Sequence, residues 1–231
     1  MSMTKHERPG VYSSYDASSV SAAGAGTRTV GVAAKAAKGT VGQPVTLTGY
    51  ADGVNAFGEE TDGAGMSALV RLLFANGASK VQAVRVADAG ETADYEAAFA
   101  ALSALEDVKI VVCDSVELAV QQALRQAVES ASAARRERIA IVGGSGTAAE
   151  LVARAAELNS ERVVLAGPEG SVGSVCSGAL TAAALAGAAA CGSDPAAPLN
   201  GAALYGLSGL STAYTDNEVD TLVRSGVTPL E

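Results

Sequence analysis

From Thr29 onward the hydrophobic positions fall into two alternating kinds of run. The first kind is helical. Met66, Leu69, Val70, Leu73 and Phe74 recur at i, i+3, i+4, i+7 and i+8, which predicts an amphipathic helix entered at Gly65. Asn76-Gly77 should stop it, because glycine tolerates the left-handed conformation past a helix end. Tyr95, Ala98, Phe99, Leu102 and Leu105 make a second stripe. Val120, Leu124, Ala127, Val128 and Ala131 make a third, with Asp114 or Ser115 as its expected cap and Arg135-Arg136 at its negative end. Further helices are predicted over Thr147 to Leu158, over the alanine-rich Ser177 to Cys191, and over the short acidic stretch Asp216 to Ser225.

The second kind of run is strand-like. VQAVRV (from Val81), VKIVVC (from Val108), IAIV (from Ile139) and VVLA (from Val163) separate the helices, and the later ones are continuous rather than alternating. That is expected when helices cover both faces of a parallel sheet. Strands regularly spaced by helical patterns imply βαβ units with right-handed crossovers. Ahead of them, TVGVAA (from Thr29) and VTLT (from Val45) flank a turn-rich KGTVGQP and read as a small strand-turn-strand block. The expected fold is α/β: a mostly parallel sheet flanked by helices on both faces, preceded by that block and a flexible N-terminal arm. No fixed-period repeat is present.

Composition sets the arm apart from the core. After Arg8-Pro9-Gly10-Val11-Tyr12 comes SSYDASSVSAAGAGTR, which has almost nothing to bury against its ordering entropy. Residues 1–28 are therefore expected to be an extended arm, disordered in isolation, with residues 29–231 as the core. Val11 and Tyr12 leave room for a segment that docks elsewhere. Aromatic residues are only 4 % of the chain, with no Trp, so the core must come from Ala, Val and Leu.

Charge and cysteines narrow the partners. A net charge of −9 argues against nucleic acid, which needs clustered Lys and Arg. Cys113, Cys176 and Cys191 lack metal-ligand or CxxC spacing, and their scattered number fits a reducing cytoplasm. The start, MSMTKHERPG, has no apolar h-region, and the apolar run Ala179 to Cys191 is too short for a bilayer. The expectation is a soluble, cytosolically made protein with no membrane partner.

Candidate chemistry is sparse. IAIVGGSGTAAELVARA places Gly144-Ser145-Gly146 between a strand and a helix, where a dinucleotide fold would bring backbone to a pyrophosphate, and Glu169 follows the next strand. This supports an alternative reading as a Rossmann-like nucleotide-binding enzyme. Against it, several elements precede the motif, and Glu169 lies beyond Gly167-Pro168 in a loop. The one histidine, His6, sits in the arm, and there is no GxSxG elbow for a serine nucleophile. GPEGSVGSVCSG could cradle an anion but reads more simply as a linker. Paired carboxylates such as Glu59-Glu60 and Glu106-Asp107 read as solvated charge. No catalytic, metal or cofactor set is expected, and the chain is read as a non-enzyme.

Two segments are more specific than any chemistry requires. One is Arg8 to Tyr12, followed by the Ser-rich stretch and TVGVAA. The other is Ser193-Asp194-Pro195-Ala196-Ala197-Pro198-Leu199-Asn200-Gly201, then Leu204 to Leu207, the acidic helix, and Gly226-Val227-Thr228-Pro229-Leu230-Glu231. With Phe57-Gly58 and Asn76 to Val81 between them, these segments resemble the contractile tail sheath proteins of bacteriophages and phage-tail-like particles, particularly the compact Gram-positive type. The resemblance implies a structural subunit that stacks in hexameric rings around a tail tube and contracts to drive the tube through a target envelope. Its partners would be neighbouring sheath subunits, the tail tube protein, and baseplate and terminator proteins. Arg8, Pro9, Gly10, Val11 and Tyr12 would form the N-terminal arm that adds a strand to a neighbour's sheet. Family members are expected to continue past the GVTPLE segment into further strands and a C-terminal arm. Since the sequence stops at Glu231, the resemblance implies a shortened chain that remains a monomer or small oligomer.

Overall fold

A computed structural model describes residues 28–59, 63–192 and 198–231. Seven strands form the main sheet in the order β10-β6-β5-β4-β1-β3-β2. In chain order these are β1 (Thr29–Ala34), β2 (Pro44–Leu47), β3 (Val81–Arg85), β4 (Val108–Cys113), β5 (Ile139–Gly143), β6 (Val163–Gly167) and, after a second small sheet, β10 (Val227–Pro229). All neighbours are parallel except β2, which runs antiparallel along β3 with Leu47 opposite Val81.

The period of two within each strand sorts the core into two halves. Val30, Val32, Val81, Ala83, Ile110, Val112 and Ile141 meet α1 (Tyr50–Phe57), α2 (Met66–Ala75) and α6 (Gly178–Cys191) on one face. Ala33, Val84, Val111, Ala140, Val142 and Leu165 meet α3 (Thr92–Ser103), α4 (Leu118–Ala133), α5 (Ala148–Leu158) and α7 (Asp216–Arg224) on the other. The chain moves one way along the sheet through α2 and the opposite way through α3, α4 and α5 on the other face. Reversing direction and face together preserves one crossover hand.

The fold class is the expected one, and the differences lie in connectivity. TVGVAA and the strand after it do not pair with each other: β3 lies between them, and β1 is interior, flanked by β3 and β4. All six residues of β1 are buried, so its alternation is between two core faces rather than core and solvent. Helix α1 was not expected, because Gly53 interrupts its stripe. A Cβ there would stand 3.0 Å from Val70 Cγ1, so the small residue lets α1 pack on α2.

The expected linker GPEGSVGSVCSG is instead a hairpin, β7 (Gly170–Val172) and β8 (Val175–Ser177), joined through Gly173 at φ 59°. With β9 (Gly209–Leu210) it forms a second, three-stranded sheet in the order β8-β7-β9. Strands this short carry no readable periodicity. The cap of α4 also differs: Glu117 holds that position, while Ser115 Oγ accepts the Glu117 N–H at 3.2 Å. Asp114 is engaged elsewhere.

Helix α6 is the spine of the molecule. Eleven of its residues are buried, against the sheet on one side and α2 on another. A helix this apolar all round belongs inside a fold. Alanine and glycine bring its backbone close to its neighbours. At Gly187 a Cβ would lie 2.6 Å from the Leu73 carbonyl oxygen.

Candidate assembly surfaces

In an open α/β sheet, ligands bind at the carboxyl ends of the strands where successive connections diverge. Here that point lies between β1, whose chain departs towards β3, and β4, whose chain departs towards β5. The chain's own groups fill it. Asp114, half-buried at the end of β4, accepts the Lys35 backbone N–H at 2.9 Å and the Tyr95 O–H at 2.6 Å. The Met66 N–H closes on the Lys35 carbonyl at 2.9 Å. The Lys35 stem lies across Gly90, where any Cβ would overlap its Cε and Nζ.

Burial raises Asp114 above the usual carboxylate range, against the opposing pull of its bonds to Tyr95 and Lys35. Burial, then the charge of Asp114, pushes the Cys113 thiol up to about 12, so it stays protonated and unreactive. A raised carboxylate pKa means the folded state disfavours the charge. Asp114 therefore costs stability at neutral pH, and that cost disappears as pH falls through its folded pKa towards the unfolded value near ~3.9. Asp114→Asn keeps an acceptor for the Lys35 N–H and carries no charge. It is expected to unfold within about 1 kcal/mol of the parent or to be more stable at pH 7, with any advantage shrinking on acidification. Urea titrations at pH 7 and pH 4.5 check both. A variant that loses more at pH 7 than at pH 4.5 would contradict the assignment.

The Gly144-Ser145-Gly146 turn is closed as well. Any Cβ on Gly143 would overlap the Gly178 carbonyl, and one on Gly144 would overlap Leu151 Cδ2. Thr147 caps α5, and Glu150 folds back so that its Oε2 accepts the Thr147 N–H at 2.7 Å and its O–H at 2.9 Å. Those two donors hold the Glu150 carboxyl below its usual range. A carboxylate thus occupies the position at the helix N-terminus that a phosphate would need. The glycines serve close backbone packing. Glu169 contributes its backbone carbonyl to the Ser211 N–H at 2.9 Å, in the loop between β6 and β7.

The open features lie at the rim. β10 is an edge strand paired only with β6, with Val227 opposite Leu165 and Pro229 opposite Gly167. At the other edge, β2 begins at Pro44, which gives no ladder donor. The segment after residue 198 crosses the end of α2 as a strap. Buried Asn76 fastens it: Oδ1 accepts the Tyr205 N–H at 2.8 Å, and Nδ2 donates to the Tyr205 carbonyl at 2.9 Å and to the Leu72 carbonyl at 2.8 Å. Asn76 thus does more than end the helix. Between strap, α6, α7 and β10 runs a groove of about 920 Å³ with Leu185, Leu199, Leu204, Leu210, Val219 and Leu230 among its lining. Leu199 and Tyr205 are exposed on the strap and Val223 on α7. Leu199-Asn200-Gly201 and Leu204 to Leu207 of the sheath-like segment form this strap, but the groove needs β10 and α6 as its other walls, which no local pattern shows.

Arg8, Pro9, Gly10, Val11, Tyr12 and His6 lie outside the described residues, as do Ser193 to Ala197. Among the described residues no group of three or more His, Cys, Asp or Glu could hold a metal ion, and no helix is long and apolar enough to cross a membrane.

The family model of the phage tail sheath protein central domain matches residues 88–231, well over half the chain. No curated protein matches significantly. Among solved structures, the sheath tail protein of Desulfitobacterium hafniense superposes with a TM-score of 0.67 at 12% identity, covering 95% of this chain and 71% of that one. The sheath tail protein Lin1278 of Listeria innocua gives 0.66 at 10% identity, covering 88% and 65%. The helical sheath of the anti-feeding prophage, in its contracted state, gives 0.60 at 16% identity, covering 97% and 64%. The chain spans 64% of the length of that sheath protein, and identities this low speak for the fold. With a family model matched from residue 88 through α3, α4, α5 and α6 to β10, the chain belongs to the phage tail sheath protein family.

Proposed function

We propose that the chain is a structural subunit of a contractile tail sheath, stacking as hexameric rings around a tail tube and contracting to drive the tube through a target envelope. The match of the sheath central-domain model to residues 88–231 carries this reading. The core supports it physically. The crevice where an α/β enzyme would bind its ligand is filled by Lys35, Tyr95 and Asp114. The edge strand and the groove suit an assembly protein rather than a catalyst.

Neighbouring copies, the tail tube, and baseplate and terminator proteins are the partners this reading names, in a phage tail or phage-tail-like particle assembled in the bacterial cytoplasm. Arg8 to Tyr12 would be the arm that adds a strand to a neighbour, with residues 1–28 as arm and 29–231 as core. Backbone hydrogen bonds would then tie chains that otherwise rotate as rigid bodies.

Electron microscopy of tail particles carrying an epitope tag on this chain tests the reading: hollow tubes with six-fold striations, labelled along their length, are expected, whereas the chain expressed by itself should sediment as a monomer or small oligomer. In parallel, thermal unfolding with millimolar ATP or NAD should match unfolding without them. A rise in melting temperature that saturates with nucleotide would overturn the assignment, since a ligand bound only to the folded state must stabilise it.

A further inference from the structure

The groove beside β10 is a wide, leucine-lined opening of about 920 Å³, and one end of it lies where the N-terminal segment enters the fold. Arg28, the first described residue, donates from Nη1 to the Ala189 carbonyl at 2.6 Å. Ala188 and Leu185, one and four residues earlier on α6, line the groove itself. Twenty-seven residues precede Arg28, so a segment of known composition begins at the mouth of an uncovered apolar site.

Chemistry and reach both match. That segment is poor in large apolar side chains, but Val11 and Tyr12 are adjacent and follow Pro9, which favours an extended backbone. Lys5, His6 and Arg8 surround Glu7 just before them. The groove is leucine-lined, and Glu231 stands among its lining. Val219 faces into it from α7, a helix that exposes Asp216, Glu218 and Asp220 against the single cation Arg224 and so is net negative. Fifteen residues separate Tyr12 from Arg28 and can span roughly 50 Å at about 3.3 Å each. The fourteen-residue helix α6, which forms the groove's floor, is about 21 Å long. Tethering gives such a segment a local concentration in the millimolar range, which lets a weak site fill in cis.

We propose that in the free chain residues Lys5 to Tyr12 seat in the groove of their own molecule, with Val11 and Tyr12 against the leucines and Lys5 and Arg8 towards α7 and Glu231. The segment then covers the apolar rim until a neighbouring copy competes for it, and free subunits are kept from associating through that rim. This goes beyond the sheath assignment and does not depend on it: tubes can form whether or not the free chain is self-covered.

Paramagnetic relaxation in the full-length chain tests the proposal. A nitroxide is placed at Ser13→Cys with the two thiols that are not buried removed, Cys176→Ser and Cys191→Ala. The expected result is loss of half or more of the intensity of the Leu199, Leu204, Leu210 and Leu230 signals, unchanged on tenfold dilution. Adding Val11→Asp and Tyr12→Asp should restore those signals while leaving the signals of β1, β4 and β5 in place. No loss at the groove overturns the proposal, as does loss that persists in the double aspartate variant. Loss seen only when spin-labelled chains are mixed with separately isotope-labelled ones also overturns it, because the occupant would then be a second copy.

Discussion

Gly178→Ala is expected to destabilise the chain by roughly 3 kcal/mol or more, and so lower its melting temperature by roughly 6–12 °C, although alanine is the better helix former. Helix propensity alone favours the change by up to ~1 kcal/mol. Sterics oppose it. Gly178 begins α6 directly over the end of β5, and a Cβ there would stand 2.7 Å from the Gly143 carbonyl carbon and 2.8 Å from the Gly144 carbonyl oxygen. Both obstacles are backbone, so no rotamer change relieves them. Either α6 lifts off the sheet or the β5–α5 turn shifts, and each disrupts packing that buries Leu180, Ala183 and Leu185. Gly209→Ala is the control: its Cβ would meet only Ser171 Oγ at 3.5 Å, and its φ is not left-handed. That variant should melt within about 0.5 kcal/mol of the parent. Thermal denaturation of both decides the matter. A Gly178→Ala protein as stable as Gly209→Ala would show that the α6–β5 contact has slack.

The same contact shows how much of the fold was legible in the sequence. Local signals sufficed for the elements of the core. Met66 to Phe74, Val108 to Cys113 and Thr147 to Leu158 match α2, β4 and α5 to within a residue or two, because burial from one face or from two stamps a period on the chain. What the glycines of the β5–α5 turn do was not legible. A glycine that admits a pyrophosphate and one that admits another backbone look alike in sequence, and the partner, Gly178, lies more than thirty residues away. Sheet order was hidden for the same reason. Nothing in TVGVAA says that it lies between β3 and β4 rather than beside VTLT. Asp114 looked like a helix cap because Asp at a strand end often is one. Its actual partners, Lys35 and Tyr95, come from two other elements. The groove was the least legible part, since it exists only once α6, α7, the strap and β10 are side by side.

Arg138 stands in a charged run and is nonetheless buried. It belongs to the run Arg135-Arg136-Glu137-Arg138, yet it is only 3% exposed. Its guanidinium donates from Nη1 to the Leu102 carbonyl at 3.1 Å, from Nη2 to the Leu105 carbonyl at 3.1 Å, and from Nε to the Arg136 carbonyl at 3.3 Å. Leu102 lies in the last turn of α3, so the cation closes the negative end of that helix and holds the α3–β4 loop against the start of β5. Burial, then the neighbouring Arg136, holds its pKa below the usual guanidinium value.

Arg138→Met preserves much of the volume but leaves three carbonyls without that donor. The Leu102 carbonyl keeps the Leu105 N–H at 3.1 Å, so at about 1–3 kcal/mol for each buried group left unpaired, with water reaching the loop, the expected loss is roughly 2 kcal/mol. Arg138→Lys should recover less than half of it, because one ammonium cannot span three acceptors arranged for a planar fork. If charge alone mattered, lysine would restore stability fully. Equilibrium unfolding of the two variants therefore separates the fork from the charge. Arg138 fixes the end of α3 to the residues that lead into β5. In Arg138→Met, amide exchange should accordingly rise first in the last turn of α3 and in residues 104–107, ahead of any change at β1 or α6.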